Sequence, residues 1–107
     1  MGIDLHLHST ASDGTLAPTA LVDAAAALGL SAIALTDHDT VSGVREAHAA
    51  GASVGVVVVP GVELSADVPG GDCHVLGYFV DIDHPPFAAW LAVRRETRVA
   101  QIGRAHV

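Results

Sequence analysis

The chain has 107 residues, which is room for one small domain, and half of them are hydrophobic, which excludes a disordered tail. Twelve acidic residues against five arginines give a formal net charge of −7, which excludes a basic nucleic-acid-binding module and predicts no stable binding to duplex nucleic acid. No apolar stretch approaches the roughly 20 residues of a membrane span. The single Cys73 suits a reducing compartment, so we expect a cytoplasmic protein without disulfides and without membrane contact.

The first part of the chain predicts a strand followed by a helix. Residues 3–8 alternate apolar and polar side chains, as a strand does. Residues 9–17 are small and polar, which predicts a loop. Pro18 can serve as the first residue of a helix, and Gly29 predicts the end of that helix.

Two more strands and a second helix are predicted in the next thirty or so residues. Residues 31–36 read as a strand, and Thr40 or Ser42 is expected to cap a helix that ends at Gly51. The apolar run at 54–59 suits a parallel strand that is buried on both faces. The order β-α-β-α-β favours an α/β fold with a parallel sheet.

The pattern changes in the last part of the chain. Residues 64–68 and 74–80 flank a turn at 69–72, which predicts a β-hairpin. Residues 86–102 read as a helix. Because Cys73 adjoins His74 and alternates with it along the strand, we expect Cys73 to be a small buried residue.

Side chains that bind metal ions follow the predicted strands. Two of them stand at i and i+2 in the first strand, so they project from one face. Others follow the first, second and third strands or open the second arm of the hairpin, and the carboxyl ends of parallel strands are neighbours in space. Imidazole with carboxylate suits Mn²⁺, Zn²⁺ or Fe²⁺. The six candidates are His6, His8, Asp13, His38, Glu63 and His74.

Three further aspartates adjoin these candidates. Asp4, Asp37 and Asp39 are interpreted as hydrogen-bond partners that orient the histidine ligands, with solvated aspartates as the alternative. For each candidate ligand taken alone, a surface histidine or a solvated carboxylate is also a possible interpretation. Their joint occurrence favours a metal site.

Five successive motifs resemble those of the PHP (polymerase and histidinol phosphatase) family. The resemblance runs from Ile3 to about Arg98. It implies the N-terminal portion of a distorted (β/α)7 barrel with an inserted β-hairpin, a trinuclear metal site and phosphoesterase activity. It is greatest to the branch that cleaves nucleoside 3′,5′-bisphosphates or short RNA from the 5′ end. The motifs are DLHLHS at 4–9, SDG at 12–14, TDHD at 36–39, GVELS at 61–65 and HVLGY at 74–78.

The resemblance also implies a role for each candidate. His6 and His8 would hold one ion, with Glu63 bridging. Asp13 and His38 would hold a second ion, and Glu63 with His74 would reach a third. Acting through up to three bound ions, Mn²⁺ above all, these residues would carry out the hydrolysis of a phosphorylated small molecule or a short oligonucleotide.

An arginine-rich helix follows the hairpin. Arg95 and Arg98 are spaced i, i+3 and therefore share one helix face. They are interpreted as a clamp on the substrate phosphate, and the resemblance favours this over the alternative, a solvated cationic face.

The sequence lacks the later motifs of the family, among them an Asp-x-His pair. We therefore expect residues 1–100 to be the N-terminal part of a PHP domain that is inactive as a fragment. Residues 101–107 do not continue the family pattern, and one encoding of 102–107 resembles a sequencing adapter, so we expect a non-native tail.

Other functions remain open at the level of the sequence. The chain could belong to a histidinol-phosphatase-like enzyme, or to a non-catalytic PHP module that binds metal and contacts another protein. It could also be a small metal-binding domain that is complete at 107 residues.

Overall fold

The order of elements agrees with the predicted α/β pattern. The computed structural model describes residues 2–105, with the side chains of 66–68, 72 and 97–105 left aside. A parallel unit of three strands and two helices comes first, and an antiparallel strand and a long helix follow. The elements are β1 (Gly2–Leu7), α1 (Pro18–Ala27), β2 (Leu30–Leu35), α2 (Val44–Val54), β3 (Val57–Val68), β4 (Gly71–Tyr78) and α3 (Pro85–Ala105).

The four strands form one sheet in the order β1-β2-β3-β4. The first three strands are parallel, and β4 is antiparallel to β3. Separate strands at 54–59 and 64–68 were expected, and this expectation is wrong, because β3 is continuous over 12 residues. Its first part pairs with β2 up to Pro60, and from Gly61 onward it pairs with β4.

The residues at which β3 changes its pairing partner, Pro60 and Gly61, explain why the strand is not interrupted. Pro60 has no N–H to donate, but its carbonyl accepts the N–H groups of Phe79 and Val80. At Gly61, a Cβ would lie 2.9 Å from the Thr36 side chain and 3.0 Å from a β2 carbonyl. The absence of a side chain at this position lets the strand pass from one partner to the other.

The core lies between the sheet and helices α1 and α2. Ile33 and Leu35 of β2 are fully buried beneath these helices. Ile3, Ala32 and Val57 are aligned across the three parallel strands, so they share a face. Ile3 and Val57 are each 63% exposed, which marks this face as the open side of the sheet. The buried core residues are Val22, Ala25, Ile33, Leu35, Val44, Ala47, Val56 and Val58.

An irregularity in β1 decides which face its histidines take. Asp4 pairs with Ile33 and Leu7 with Leu35, so three steps along β1 match two along β2. Side chains alternate between the faces of a strand, and one extra residue reverses that alternation. Leu7 consequently packs against the core. The residues on either side of Leu7, His6 and His8, point away from the helices.

Helix α2 extends past its predicted end. It runs through Gly51 to Val54, and Gly55 ends it in the left-handed conformation at φ 77°. The glycine at 51 has a packing role instead, since a Cβ there would lie 2.4 Å from the Val56 carbonyl oxygen. The predicted stop at Gly51 was therefore wrong, because close packing and a helix end favour the same residue type.

The start of α2 also differs from the expectation. Gly43 occupies the N-cap position and no side chain caps the helix. Thr40 accepts the N–H of Ser42 and donates its hydroxyl to the Ser42 hydroxyl, so these two residues form a local turn before the helix.

The last part of the chain contributes an exposed cysteine and a helix that packs through a buried leucine. Cys73 in β4 is exposed, so the expectation of a buried thiol was wrong. Helix α3 docks through Leu91, which is 1% exposed. Among the helices of residues 2–105, none combines the length and the apolar content that crossing a membrane requires.

We expect the substitution Gly51→Ala to lower the free energy of unfolding by roughly 1–3 kcal/mol, the usual cost of overpacking. The added methyl would meet the Val56 carbonyl and the Val58 side chain. Urea unfolding followed by circular dichroism measures the effect. The matched control is Ser53→Ala at an exposed position of the same helix, which should change stability by no more than about 0.5 kcal/mol. Equal stability of the two variants would contradict the packing role of Gly51.

Candidate metal centre

Glu63 lies where four imidazole rings meet, and its side chain is only 6% exposed. The Oε1 atom is 2.5 Å from Nε2 of His6 and 2.9 Å from Nε2 of His8. The Oε2 atom is 3.1 Å from Nδ1 of His74 and 3.5 Å from Nδ1 of His38. One buried carboxylate thus contacts side chains delivered by β1, the β2 loop and β4.

Backbone pairing beyond β2 holds Glu63 in this position. His38 and Glu63 form a parallel β-bridge. The N–H of Glu63 donates to the Asp37 carbonyl at 3.0 Å, and the N–H of Asp39 donates to the Glu63 carbonyl at 2.9 Å. The loop after β2 therefore extends the parallel pairing by a few residues and aligns the two side chains.

Asp13 supplies a second carboxylate on the other side of the rings. Its Oδ1 is 2.9 Å from Nδ1 of His8, and its Oδ2 is 3.1 Å from Nε2 of His38. Gly14 makes this approach possible, since a Cβ there would lie 2.2 Å from the His8 carbonyl oxygen. In the Ser12-Asp13-Gly14 motif, Asp13 supplies the carboxylate, and Gly14 lets the loop lie close to the backbone at the end of β1.

The pKa values of both carboxyls are lowered. Burial by itself raises the pKa of Glu63, but hydrogen bonds from His6 and His8 and the charge of His38 outweigh burial. Burial also raises the pKa of Asp13, while the charges of His38 and His8 and hydrogen bonding bring it below its usual range. Both carboxylates are therefore held in the ionised form that a cation requires.

All six predicted ligands converge, in three overlapping groups whose candidate ligand atoms lie within 4.8 Å of one another. The groups are His6–His8–Glu63, His8–Asp13–His38 and His38–Glu63–His74. The first group is the set that the family resemblance implies for one ion, whereas the second adds His8 to Asp13 and His38, and the third adds His38 to Glu63 and His74.

The chemistry of this cluster fits divalent ions. Imidazole nitrogens and carboxylate oxygens are ligands that Mn²⁺, Fe²⁺ and Zn²⁺ accept. The Nδ1 atom of His38 is buried and has no hydrogen-bond partner among the described residues, because its 3.5 Å separation from Glu63 does not make a hydrogen bond. Leaving a buried polar atom unpaired costs about 1–3 kcal/mol, which a bound cation at this nitrogen would offset.

The structure describes the side chain of one of the two arginines in the predicted phosphate clamp. Arg95 donates from a guanidinium nitrogen to the Asp39 carbonyl at 2.8 Å. It also lines a cavity of about 260 Å³ together with Arg45, Thr40 and Ser42. The Arg98 side chain lies outside the described residues, so the i, i+3 pair remains a prediction.

The neighbouring Arg94 was missed by the sequence interpretation. Its guanidinium donates to the Asp39 carboxylate and to the Ser65 carbonyl, and it lies 4.9 Å from the centre of the Trp90 ring. It fastens α3 to the β2 loop and to β3. Spacing along a helix could not reveal this, because adjacent arginines differ only in the direction each one faces.

Among the described residues, the hydrogen bonds of the three expected orienting aspartates go to other groups. Asp4 accepts the backbone N–H of His6 at 3.1 Å, not a ring N–H. Asp37 accepts donors from Ser9 and Ser12, and Asp39 accepts Arg94. The hydrogen bonds of Asp37 are therefore made with the loop after β1 and not with an imidazole.

A parallel α/β sheet with histidine and carboxylate side chains gathered at the carboxyl ends of its strands defines a class of metal-binding domain. The chain belongs to the PHP domain family, whose sequence profile matches residues 4–101. It is similar to a 5′-3′ exoribonuclease from Haemophilus influenzae, with 46% identity over 103 residues that cover 94% of this chain and 38% of the relative.

A second relative and a solved structure agree with this family. The chain is 44% identical to a 3′,5′-nucleoside bisphosphate phosphatase from Chromobacterium violaceum over 97 residues, covering 91% of this chain and 34% of the relative. A Bifidobacterium adolescentis structure assigned as a metal-dependent phosphoesterase superposes with a TM-score of 0.85 at 34% identity, covering 94% of this chain and 35% of that one. The chain therefore spans somewhat more than a third of the length of these relatives.

The lowered pKa of Glu63 predicts acid sensitivity of the metal-free protein. Because the pKa is lower in the folded state, ionised Glu63 stabilises the fold above the unfolded-state value of about 4.5, and this stabilisation is lost as pH falls through the folded-state pKa. We expect the free energy of unfolding, measured in urea with EDTA, to decline below about pH 4.5.

Two variants test the origin of that decline. Glu63→Gln should make the slope shallower, whereas Glu96→Gln, at an exposed position of α3, should leave it unchanged. Parallel pH profiles for the parent and Glu63→Gln would show that Glu63 is not the source.

Proposed function

We propose that this chain provides metal ligands to a metal-dependent phosphoesterase that hydrolyses phosphate esters of nucleotides or short oligonucleotides. The observation that supports this is the convergence of four imidazoles and two carboxylates on one rim of a PHP domain. The names of the relatives, an exoribonuclease and a nucleoside bisphosphate phosphatase, support the substrate class. The activity is proposed for the whole protein that contains this chain.

We propose divalent ions as cofactors, with Mn²⁺ first and Zn²⁺ or Fe²⁺ as substitutes, up to three in number. Glu63 can serve two ions because it has two carboxylate oxygens. His8 and His38 each belong to two groups, but a neutral imidazole binds an ion through one nitrogen. Three ions would therefore need ligands besides these six residues.

The chain's own residues have separate tasks in the proposed hydrolysis. The bound ions would supply Lewis acidity and hydroxide at neutral pH. His6 and His8 offer ring nitrogens on one face of the chain at the end of β1, and Glu63 contacts both rings. Asp13 offers a carboxylate ligand between His8 and His38, both of which it contacts.

Arg95 is proposed to bind a phosphate of the substrate. Its guanidinium has donors besides the one that contacts Asp39, and it lines a cavity together with Thr40, Ser42 and Arg45, whose own guanidinium is paired with Asp83. Guanidinium and hydroxyl donors suit a phosphate.

We further propose a cytoplasmic location, which the exposed thiol of Cys73 supports because reducing compartments keep such thiols free.

We expect His8→Ala to abolish hydrolysis in the whole protein with little loss of fold, because His8 contacts both carboxylates of the cluster. Lewis-acid stabilisation of several kcal/mol corresponds to a loss of at least about a hundred-fold in rate. Release of inorganic phosphate from a nucleoside 3′,5′-bisphosphate measures the rate, and isothermal titration with Mn²⁺ measures binding. The matched control is His48→Ala at an exposed position of α2. Near-normal phosphate release by His8→Ala would refute the proposal.

A substitution at Arg95 tests the role in substrate binding. Arg95→Ala should raise KM about ten-fold or more with a smaller change in kcat, since a lost charge-assisted hydrogen bond costs about 1.5–3 kcal/mol. Arg95→Lys keeps the charge and should recover part of the affinity. An unchanged KM in Arg95→Ala would contradict a role in substrate binding. The contact of Arg95 with the Asp39 carbonyl would then be purely structural.

A further inference from the structure

One buried carboxylate fastens the loop after β1 to the end of β2. Asp37 is 2% exposed. Its Oδ1 accepts the N–H of Ser9 at 2.6 Å and the hydroxyl of Ser12 at 2.7 Å, and its Oδ2 accepts the hydroxyl of Ser9 at 2.7 Å. Hydrogen bonds to an ionised acceptor in a buried setting are stronger than neutral ones.

Ser9 is in turn the centre of the loop that leads to Asp13. It is fully buried, and its carbonyl accepts the N–H groups of Ser12 and Gly14 at 3.1 and 2.9 Å. Its hydroxyl accepts the N–H of Ala11 at 3.1 Å. Asp37 accepts both the N–H and the hydroxyl of Ser9. It therefore determines the position of the whole turn relative to the sheet.

The main chain of Asp37 also aligns Glu63, the other carboxylate of the cluster. The backbone carbonyl of Asp37 accepts the N–H of Glu63 at 3.0 Å. The side chain of Asp37 therefore sets the loop of Asp13, and its main chain sets Glu63. The two carboxylates approach His8 from opposite sides, at 2.9 Å from Nδ1 and 2.9 Å from Nε2.

We propose that Asp37 is a positioning residue for metal binding, which acts through Ser9 and Ser12 to hold the Asp13 carboxylate against His8 and His38. This inference rests on the proposed metal centre. It assigns to Asp37 a role that differs from the orientation of a histidine ring. Because the loop is exposed at Asp13, whose side chain is 59% accessible, the contacts at its base and not packing around its tip define its position.

The test compares metal binding with local loop order in the whole protein that contains this chain. Ser12→Ala removes one hydroxyl from Asp37 with little demand on the fold, and Asp37→Asn removes the charge while keeping the shape. Asp23→Asn, at an exposed position of α1, is the matched control for the loss of a negative charge. Mn²⁺ affinity is measured by isothermal titration, Co²⁺ coordination by its visible absorption, and loop order by amide hydrogen exchange.

We expect the Mn²⁺ dissociation constant to rise roughly ten-fold or more in Ser12→Ala and Asp37→Asn, the usual cost of removing a residue that orients a ligand. The Co²⁺ absorption should change in shape, since a carboxylate ligand is lost. The amides of Ser12 and Gly14 should exchange faster, while the amide of Thr36, which donates to the Leu7 carbonyl, should stay protected.

Several results would overturn the inference, and they are distinguishable. If the parent whole protein and its Asp23→Asn variant bind no Mn²⁺, the proposed metal centre fails and the inference fails with it. If the parent binds but both loop variants keep its affinity and Co²⁺ spectrum, the metal centre stands and the positioning role of Asp37 is refuted. Loss of protection at Thr36 in Ser12→Ala would also refute it, because Asp37 would then support the fold as a whole.

Discussion

The structure is organised around a carboxylate that is kept ionised without a lysine or arginine beside it in the described part of the chain. Glu63 is surrounded by the rings of His6, His8, His38 and His74, which reach it from three separate segments of the chain. A buried anion has a high desolvation cost unless partners compensate for it, so the positions of these segments depend on one another. Glu63 thus contacts four of the other five candidate ligands directly, and Asp13 is connected to it through His8 and His38.

Two features of the backbone place Glu63 at the carboxyl-terminal edge of the parallel strands. The parallel part of β3 ends at Pro60, and the glycine that follows lets the strand continue as one arm of the antiparallel pair with β4. Glu63 therefore belongs to both pairings at once, through the bridge to His38 and the register with β4. The arginine at 94 then holds α3 against the same region by bonding to Asp39 and Ser65.

Much of the fold and of the candidate site could be predicted from local patterns, and the remainder depends on contacts between distant residues. The i, i+2 spacing placed His6 and His8 on one face, and the polar residues after each strand indicated the common rim. The end of α2 was misplaced because Gly51 serves packing against Val56, and a glycine has the same appearance in both roles. The hydrogen-bond partners of Asp37 and Arg94 lie more than twenty residues away in the chain, so no periodicity reports them.

The extra residue of β1 lets one short strand contribute both to the hydrophobic core and to the proposed metal site. Whether a side chain of this strand faces the proposed metal site or the core depends on whether the number of residues before it is odd or even, and not on its chemistry. Shortening the strand by one residue before His6 would turn both imidazoles toward the aliphatic layer and bring Leu7 to the open face. A change of length, with every ligand still present in the sequence, would thus remove the site and disrupt the core together.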